Sequence, residues 1–272
     1  MGVDPLSIVR YELFSDYHMH PQGHRVQRYT QELLQPWADS ARQKGLKDIA
    51  LTDHDRYHAG IDFDEINRLR ERNPDLRIRA GIELDNDPVH SPASRKWVEK
   101  HWQDLDFVLG SVHFLERADQ MFDSVPDGAA QFEGMNIDEM YADYFRRLRE
   151  LTATGLVDCL AHLDLIKIHG HRPTADIGAL VNETLEFICA RNVAIELSTA
   201  GWRKPVNEVY PSDRIIALAM EKGIPFTTAS DAHSQVQLGE NFHRLSEKMA
   251  GIGVREVLVF EKHKRVDVSL QL

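Results

Sequence analysis

The chain has 272 residues, of which 42% are hydrophobic and 28% charged, with a formal net charge of −11. This length is normal for a single α/β barrel, and we interpret residues 1–272 as one domain because no linker, charge block or low-complexity region divides them. The acidic balance argues against binding of long nucleic acids or anionic membranes, because few spare cations could neutralise their phosphates.

Short apolar strands alternate with amphipathic helices along the chain. The predicted strands are 13–18, 48–52, 78–82, 107–111, 157–161, 193–197 and 226–230. The predicted helices between them are 31–44, 62–72, 137–154, 175–191 and 213–222. This alternation predicts a parallel α/β fold, and an eighth candidate strand at 257–260 could close the series. The long irregular stretch 115–136 follows the fourth strand and is typical of a lid or substrate loop.

The chain ends and the cysteines indicate where the protein resides. The amino terminus lacks a basic start followed by an apolar run, and no segment reaches the length of a membrane span. Cys159 and Cys189 both lie in apolar stretches and are expected to be free, buried thiols. We therefore expect a cytoplasmic protein.

Nearly every predicted strand ends at a histidine, aspartate or glutamate. His18 and His20 can face the same way because alternate residues of a strand share a side. The other residues of this kind are Asp53, His54, Glu83, His113, His162, Asp231 and His233, with His24 on the loop after the first strand. One such residue would be ordinary polarity at a strand exit, but six of about seven strands end this way. We therefore predict a TIM-like, distorted (β/α)7 barrel, in which the C-terminal ends of the strands meet at one mouth. Because these side chains are ligands of zinc, manganese and iron, the sequence predicts a metal site there.

The motifs occur in a characteristic order: His-x-His, Thr-Asp-His, Gly-x-Glu, Ser-x-His, a lone His and Asp-x-His. In this order, from Asp16 to about Phe242, the chain resembles the polymerase-and-histidinol-phosphatase (PHP) domain superfamily. The resemblance implies three divalent metal ions, of zinc, manganese or iron. The first would be held by His18, His20, Glu83 and Asp231, the second by Glu83, His113 and His162, and the third by His24, His54 and His233. It also implies catalysis by a metal-bridging hydroxide, held by Glu83, His113, His162 and Asp231.

A second segment narrows the resemblance to the histidinol-phosphatase branch. Residues 196–205 and 162–167 are similar to that branch, although Ser198 stands where Asn is usual and the loop 115–136 lacks the expected Gly-Trp turn. Arg203 is then a candidate phosphate clamp, because a guanidinium matches phosphate in a bidentate manner. The branch implies hydrolysis of a small phosphate monoester, histidinol phosphate or a similar metabolite.

Other interpretations stay open at this point. The same superfamily supports a phosphodiesterase or 3′–5′ exonuclease, and a non-catalytic metal-binding regulatory barrel would have the same fold. Asp16, Asp53 and Asp164 stand beside ligand positions, where they would either orient ligands or be ordinary strand-end aspartates. Tyr17 and Trp202 could line the mouth. The oligomeric state is not indicated by the sequence.

Overall fold

The computed structural model describes residues 13–116, 120–124 and 127–270. Seven strands form one sheet in which each strand pairs in parallel with the next one in the chain. They are β1 (Ser15–Asp16), β2 (Asp48–Leu51), β3 (Arg77–Asp85), β4 (Phe107–Ser111), β5 (Cys159–Leu160), β6 (Ala194–Ser198) and β7 (Phe226–Ala229).

The first and last strands of this sheet lie side by side. The Tyr17 amide donates to the Thr228 carbonyl at 3.0 Å, and Met19 forms a parallel bridge with Ala232. The sheet therefore curls into a (β/α)7 barrel, which confirms the predicted fold class.

Seven α-helices surround the strands. They are α1 (Gln31–Gln43), α2 (Phe63–Arg72), α3 (Ser91–Lys100), α4 (Ile137–Ala153), α5 (Gly178–Ala190), α6 (Asp213–Glu221) and α7 (Phe242–Ile252). Several begin at a side-chain cap: the side-chain Oδ1 of Asn136, for example, accepts from the backbone amides of Asp138 and Glu139 at the start of α4. In the described part of the chain, no helix combines the length and hydrophobicity needed to cross a bilayer.

The prediction that 257–260 closes the barrel is wrong. Here β8 (Glu256–Glu261) pairs antiparallel with β9 (Lys264–Ser269) as a separate hairpin. Its turn residues Lys262 and His263 both have positive φ, 48° and 63°, as a tight hairpin turn requires. The chain reverses there, so the segment cannot run on as a parallel strand.

The hairpin packs against the N-terminal ends of the barrel strands. Leu258 and Phe260 are buried in one cluster with Tyr17 and Phe107. The Tyr17 and Phe107 rings meet edge to face at 5.1 Å, and the Tyr17 hydroxyl donates to Asp48 Oδ1 at 3.0 Å. Tyr17 therefore points away from the mouth, which corrects the expectation that it lines it.

The cysteines are both free, but only one is buried. Cys159 lies in the barrel interior, whereas α5 turns Cys189 outward to the surface. The expectation of a buried thiol is wrong for Cys189, because it falls on the solvent side of an amphipathic helix.

Candidate metal centre

Glu83, near the end of β3, is the centre of the site at the C-terminal ends of the strands. Its carboxylate is fully buried and lies within 4 Å of the ring nitrogens of five histidines. The shortest separations from its two oxygens are 2.6 Å (His54 Nδ1), 3.3 Å (His162 Nε2), 3.5 Å (His18 Nε2), 3.7 Å (His20 Nε2) and 3.8 Å (His113 Nε2). One carboxylate thus faces ligand atoms from several strands, which is the position a bridging ligand needs.

Eight of the nine predicted ligands form close groups. Within each group of three, ligand atoms lie within 4.8 Å of one another. The groups are His20, His54 and His233; His18, His20 and Asp231; His18, Glu83 and His162; and His54, Glu83 and His113. Because the groups overlap through shared side chains, the site has donors for more than one ion.

His24 lies at the rim and belongs to none of these close groups. Its ring stacks on His233 with centroids 4.4 Å apart and lies 6.0 Å from the ring of His54. The His24 side chain is exposed, unlike most of the other predicted ligands. His24 therefore lies beside His54 and His233, the other two predicted ligands of the third ion. The ring of His20 lies closer to both of them than the ring of His24 does.

Six buried polar atoms without a hydrogen-bond partner lie in this one site. A buried polar atom without a hydrogen bond costs about 1–3 kcal/mol, so such atoms are rare in folded proteins. Here the ring or carboxylate atoms His18 Nε2, His20 Nδ1, His54 Nδ1, Glu83 Oε2, His162 Nδ1 and His233 Nε2 are all buried without a partner. His54 Nδ1 and Glu83 Oε2 are close together but lack hydrogen-bond geometry. Imidazole nitrogens and carboxylate oxygens that converge in this way fit divalent cations of the zinc, manganese or iron type.

Two buried carboxylates orient histidines of the site, and sequence reasoning did not identify either. Glu196 Oε2 lies 2.8 Å from His18 Nδ1, and Glu196 Oε1 accepts the backbone amide of His162 at 3.1 Å. Asp85 Oδ2 lies 2.9 Å from His113 Nδ1. Carboxylates on the far ring nitrogen fix the orientation of a ligating histidine. The available signal was strand periodicity, since Asp85 follows Glu83 by two residues on the same side of β3.

The aspartates beside the ligands hold backbone segments instead of histidine rings. Asp16 accepts from the Ser230 hydroxyl at 2.5 Å and from the Gly239 amide at 2.9 Å. Burial raises the pKa of Asp16 to about 6, although these hydrogen bonds oppose the shift. Asp164 likewise accepts the Ser212 amide at 3.0 Å and pairs with Lys167 at 3.1 Å. Both residues therefore position the loops at the mouth.

Asp53 has the same kind of role on the other side of the mouth. It accepts the Tyr29 hydroxyl at 2.7 Å and the backbone amide of Gln22 at 2.9 Å, just after the His-x-His motif. Burial raises the pKa of Asp53 to about 7, against the effect of these hydrogen bonds. Asp53 thus anchors the segment that leads to His24.

His20 and His233 differ electrostatically from His18. Burial, together with the neighbouring His54, lowers the pKa of His20 well below its ordinary value and that of His233 to about 4. Burial also acts on His18, but Glu196 and the other adjacent carboxylates outweigh it and raise its pKa well above the ordinary value. His20 and His233 are thus neutral at neutral pH and present lone pairs to a cation.

Two of the predicted ligands have left-handed backbone conformations. The φ angle is 27° at His162 and 52° at Asp231. Such conformations are unfavourable for residues other than glycine and persist where surrounding contacts enforce them. At Asp231 the enforcing group is Arg203, whose Nη2 donates to the carbonyls of Ser230 at 2.6 Å and Asp231 at 3.0 Å.

Above the histidines lies an open cavity of about 540 Å³. Arg203 lines it, as the sequence predicted for a substrate residue, and its Nη1 is buried without a hydrogen-bond partner, 3.6 Å from Glu240 Oε2. Trp202 lies against the guanidinium of Arg244 at 4.2 Å and is not among the cavity-lining residues, which corrects the expectation for Trp202. The phosphate-binding role of Arg203 stays a prediction.

The loop after β4 is packed against this cavity. The Phe122 amide donates to the His113 carbonyl at 3.0 Å, and His169 Nε2 lies 2.8 Å from the Phe122 carbonyl. His171 stacks on Phe132 with centroids 4.9 Å apart. His169 and His171 therefore hold the loop in place and belong to none of the ligand groups described above.

Comparison with known proteins agrees with this architecture. The family model for the PHP domain matches residues 16–200. A Deinococcus radiodurans protein named probable histidinol-phosphatase is 32% identical over 81% of this chain and 88% of its own length. The Lactococcus lactis histidinol-phosphatase is 24% identical over 92% of this chain and 95% of its own length. A crystal structure of a histidinol phosphate phosphatase from Lactococcus lactis, in complex with zinc, L-histidinol and phosphate, has a TM-score of 0.67 at 19% identity and covers 93% of this chain and 98% of that one. The last similarity supports the barrel fold.

Proposed function

This chain belongs to the PHP domain family, and on that premise we propose that it is a metal-dependent phosphatase that hydrolyses L-histidinol phosphate. The observation that supports the proposal most directly is the convergence of buried imidazoles on Glu83 at the floor of a cavity that Arg203 also lines. The names of the relatives supply the substrate.

The residues that would hold the ions are those with unpartnered atoms around Glu83. Three divalent ions would use His18, His20, His24, His54, Glu83, His113, His162, Asp231 and His233 as ligands, with Glu83 shared. Bound there, such ions supply positive charge opposite phosphoryl oxygens and acidify coordinated water. Zinc, manganese and iron suit this donor set better than magnesium or calcium, which prefer oxygen ligands.

The chain's own groups provide binding and orientation. The Nη1 of Arg203, which lacks a hydrogen bond although Glu240 Oε2 lies 3.6 Å away, would donate to a phosphate oxygen, while its Nη2 holds the backbone of Asp231. Glu196 and Asp85 keep the rings of His18 and His113 turned towards Glu83. A cavity of about 540 Å³ is in the size range of small-molecule sites, so it suits a metabolite better than a polymer.

The test is a comparison of kcat/KM for L-histidinol phosphate, a sugar phosphate, a mononucleotide and a short oligonucleotide, with zinc, manganese or iron added in turn. We expect L-histidinol phosphate to be the best substrate by at least tenfold. Preference for the oligonucleotide would instead identify an exonuclease. No turnover of any phosphoester, with metal bound, would indicate a regulatory barrel.

A further inference from the structure

An unusual carboxylate projects into the cavity from the loop after β4. The Asp123 side chain is 18% exposed, and its Oδ2 lies 3.9 Å from His113 Nε2. Its other oxygen, Oδ1, is buried and has no hydrogen-bond partner. Asp123 lines the cavity directly above the histidine cluster.

No cationic side chain of the described residues compensates this charge. Its one ion-pair neighbour in that part of the chain is His113, and the His113 ring is already paired on its other nitrogen with Asp85 at 2.9 Å. A carboxylate removed from water without a partner is costly, so its retention at this depth favours cations beside it that the chain itself does not provide. An ion held at His113 would be one of them, and the open cavity leaves the other side of Asp123 to a cationic ligand.

Asp123 is also held in place. The residue before it, Phe122, is hydrogen-bonded through both its amide and its carbonyl, to His113 and His169 respectively. Gly128 packs so closely on this segment that an added Cβ would lie 2.2 Å from the Phe122 carbonyl oxygen. The carboxylate is therefore positioned before any ligand arrives, which reduces the entropic cost of binding.

The walls of the cavity carry opposite charges. Arg203 and Lys204 line it from the loop after β6, whereas Asp123 and Asp127 line it from the loop after β4. Asp123 is absent from the close ligand groups around Glu83. A ligand that spans the cavity would therefore carry an anion at one end and a cation at the other.

We propose that Asp123 binds the protonated amine of an aminoalkyl phosphate and so selects the non-phosphate part of the substrate. This inference rests on the proposed function and adds to it a specificity-determining residue that the sequence motifs do not include. The phosphate lies towards Arg203 and the metal ligands, and the ammonium donates a charge-assisted hydrogen bond to Asp123.

The test compares Asp123→Asn and Asp123→Glu with wild type on two substrates that differ in the amine alone. These are L-histidinol phosphate and its des-amino analogue, 3-(imidazol-4-yl)propyl phosphate. One hydrogen bond to a charged group corresponds to roughly a 10- to 150-fold effect. We expect Asp123→Asn to lower kcat/KM on L-histidinol phosphate by about that factor, mainly through KM, and to change the des-amino substrate less than about threefold. Asp123→Glu should recover part of the loss.

Glu133→Gln is the matched control, because it removes the same charge from an exposed position on the same loop; it should behave as wild type. Equal losses on both substrates, or loss of bound metal in Asp123→Asn, would overturn the inference and indicate a direct part in the reaction or in metal binding.

Calorimetric binding of L-histidinol separates this inference from the proposed function. If wild type binds the amino alcohol and Asp123→Asn does not, the inference holds even where turnover is absent; if both bind equally, it is wrong.

Discussion

Replacement of Glu196 by glutamine tests the metal centre without touching a predicted ligand. Glu196 is fully buried and makes two contacts with the site, through Oε2 to His18 Nδ1 at 2.8 Å and through Oε1 to the His162 amide at 3.1 Å. Glutamine has nearly the same shape and can keep the amide contact with its single carbonyl oxygen. It removes the negative charge that supports His18.

The expected loss of metal affinity follows from the removal of that charge. Removal of an outer hydrogen-bond partner of a metal-ligating histidine typically costs 10- to 100-fold in metal affinity, or about 1.4–2.7 kcal/mol. We expect the upper half of this range, because Glu196 contacts two residues assigned to different ions. Competition with a chromophoric chelator measures the affinity for zinc or manganese, and elemental analysis measures the ions retained.

Glu221→Gln is the control, since Glu221 is exposed near the end of α6. Circular dichroism establishes that both variants are folded. A folded Glu196→Gln protein with wild-type metal affinity would refute the reasoning, because it would mean that the orientation of His18 does not depend on its partner.

Four further outcomes are expected. Glu83→Gln should lose at least two bound ions and nearly all turnover, whereas retained metal by elemental analysis would contradict the shared-ligand role. Arg203→Lys should lower kcat/KM roughly tenfold or more, because the lysine ammonium cannot serve phosphate and the Asp231 backbone together; an unchanged value would remove Arg203 from substrate binding. Leu258→Ala should lower the free energy of unfolding by about 2–5 kcal/mol in urea titrations, because Leu258 is 1% exposed beneath the barrel; a loss below 1 kcal/mol would contradict tight packing. The last outcome concerns His263. Burial lowers the pKa of His263, but its hydrogen bond with Asp158 outweighs burial and raises that pKa above its ordinary value. Its stabilisation is therefore complete below about pH 6.5 and fades as pH rises through the raised pKa, so His263→Gln should destabilise more at pH 6 than at pH 9.

The sequence predicted the seven barrel strands and the clustering of the candidate ligands well, and the reason is geometric. A predicted ligand such as Glu83 or His113 follows an apolar run immediately, and parallel strands bring all such positions to one edge. In a parallel barrel these strand ends converge without any further sequence signal.

What the sequence did not predict depends on weaker local signals. The α7 helix begins at Asn241 in a left-handed conformation without a side-chain cap, so the usual start signal is missing. Glu196 lies inside β6, with β7 between it and the strand that leads to His18, and nothing in its neighbourhood distinguishes it from an ordinary strand carboxylate. Asp123 depends on how a long loop packs, which periodicity does not encode.

The antiparallel hairpin beneath the barrel has a consequence for the order in which the protein is made. Every residue around the metal centre leaves the ribosome before β8 and β9 do. A nascent chain that ends near residue 250 therefore contains all the predicted ligands but has no cover for Tyr17 and Phe107 at the opposite end. Until the last strands emerge, the apolar base of the barrel is open to chaperones or to other chains, so completion of the hairpin is the step that ends this exposure.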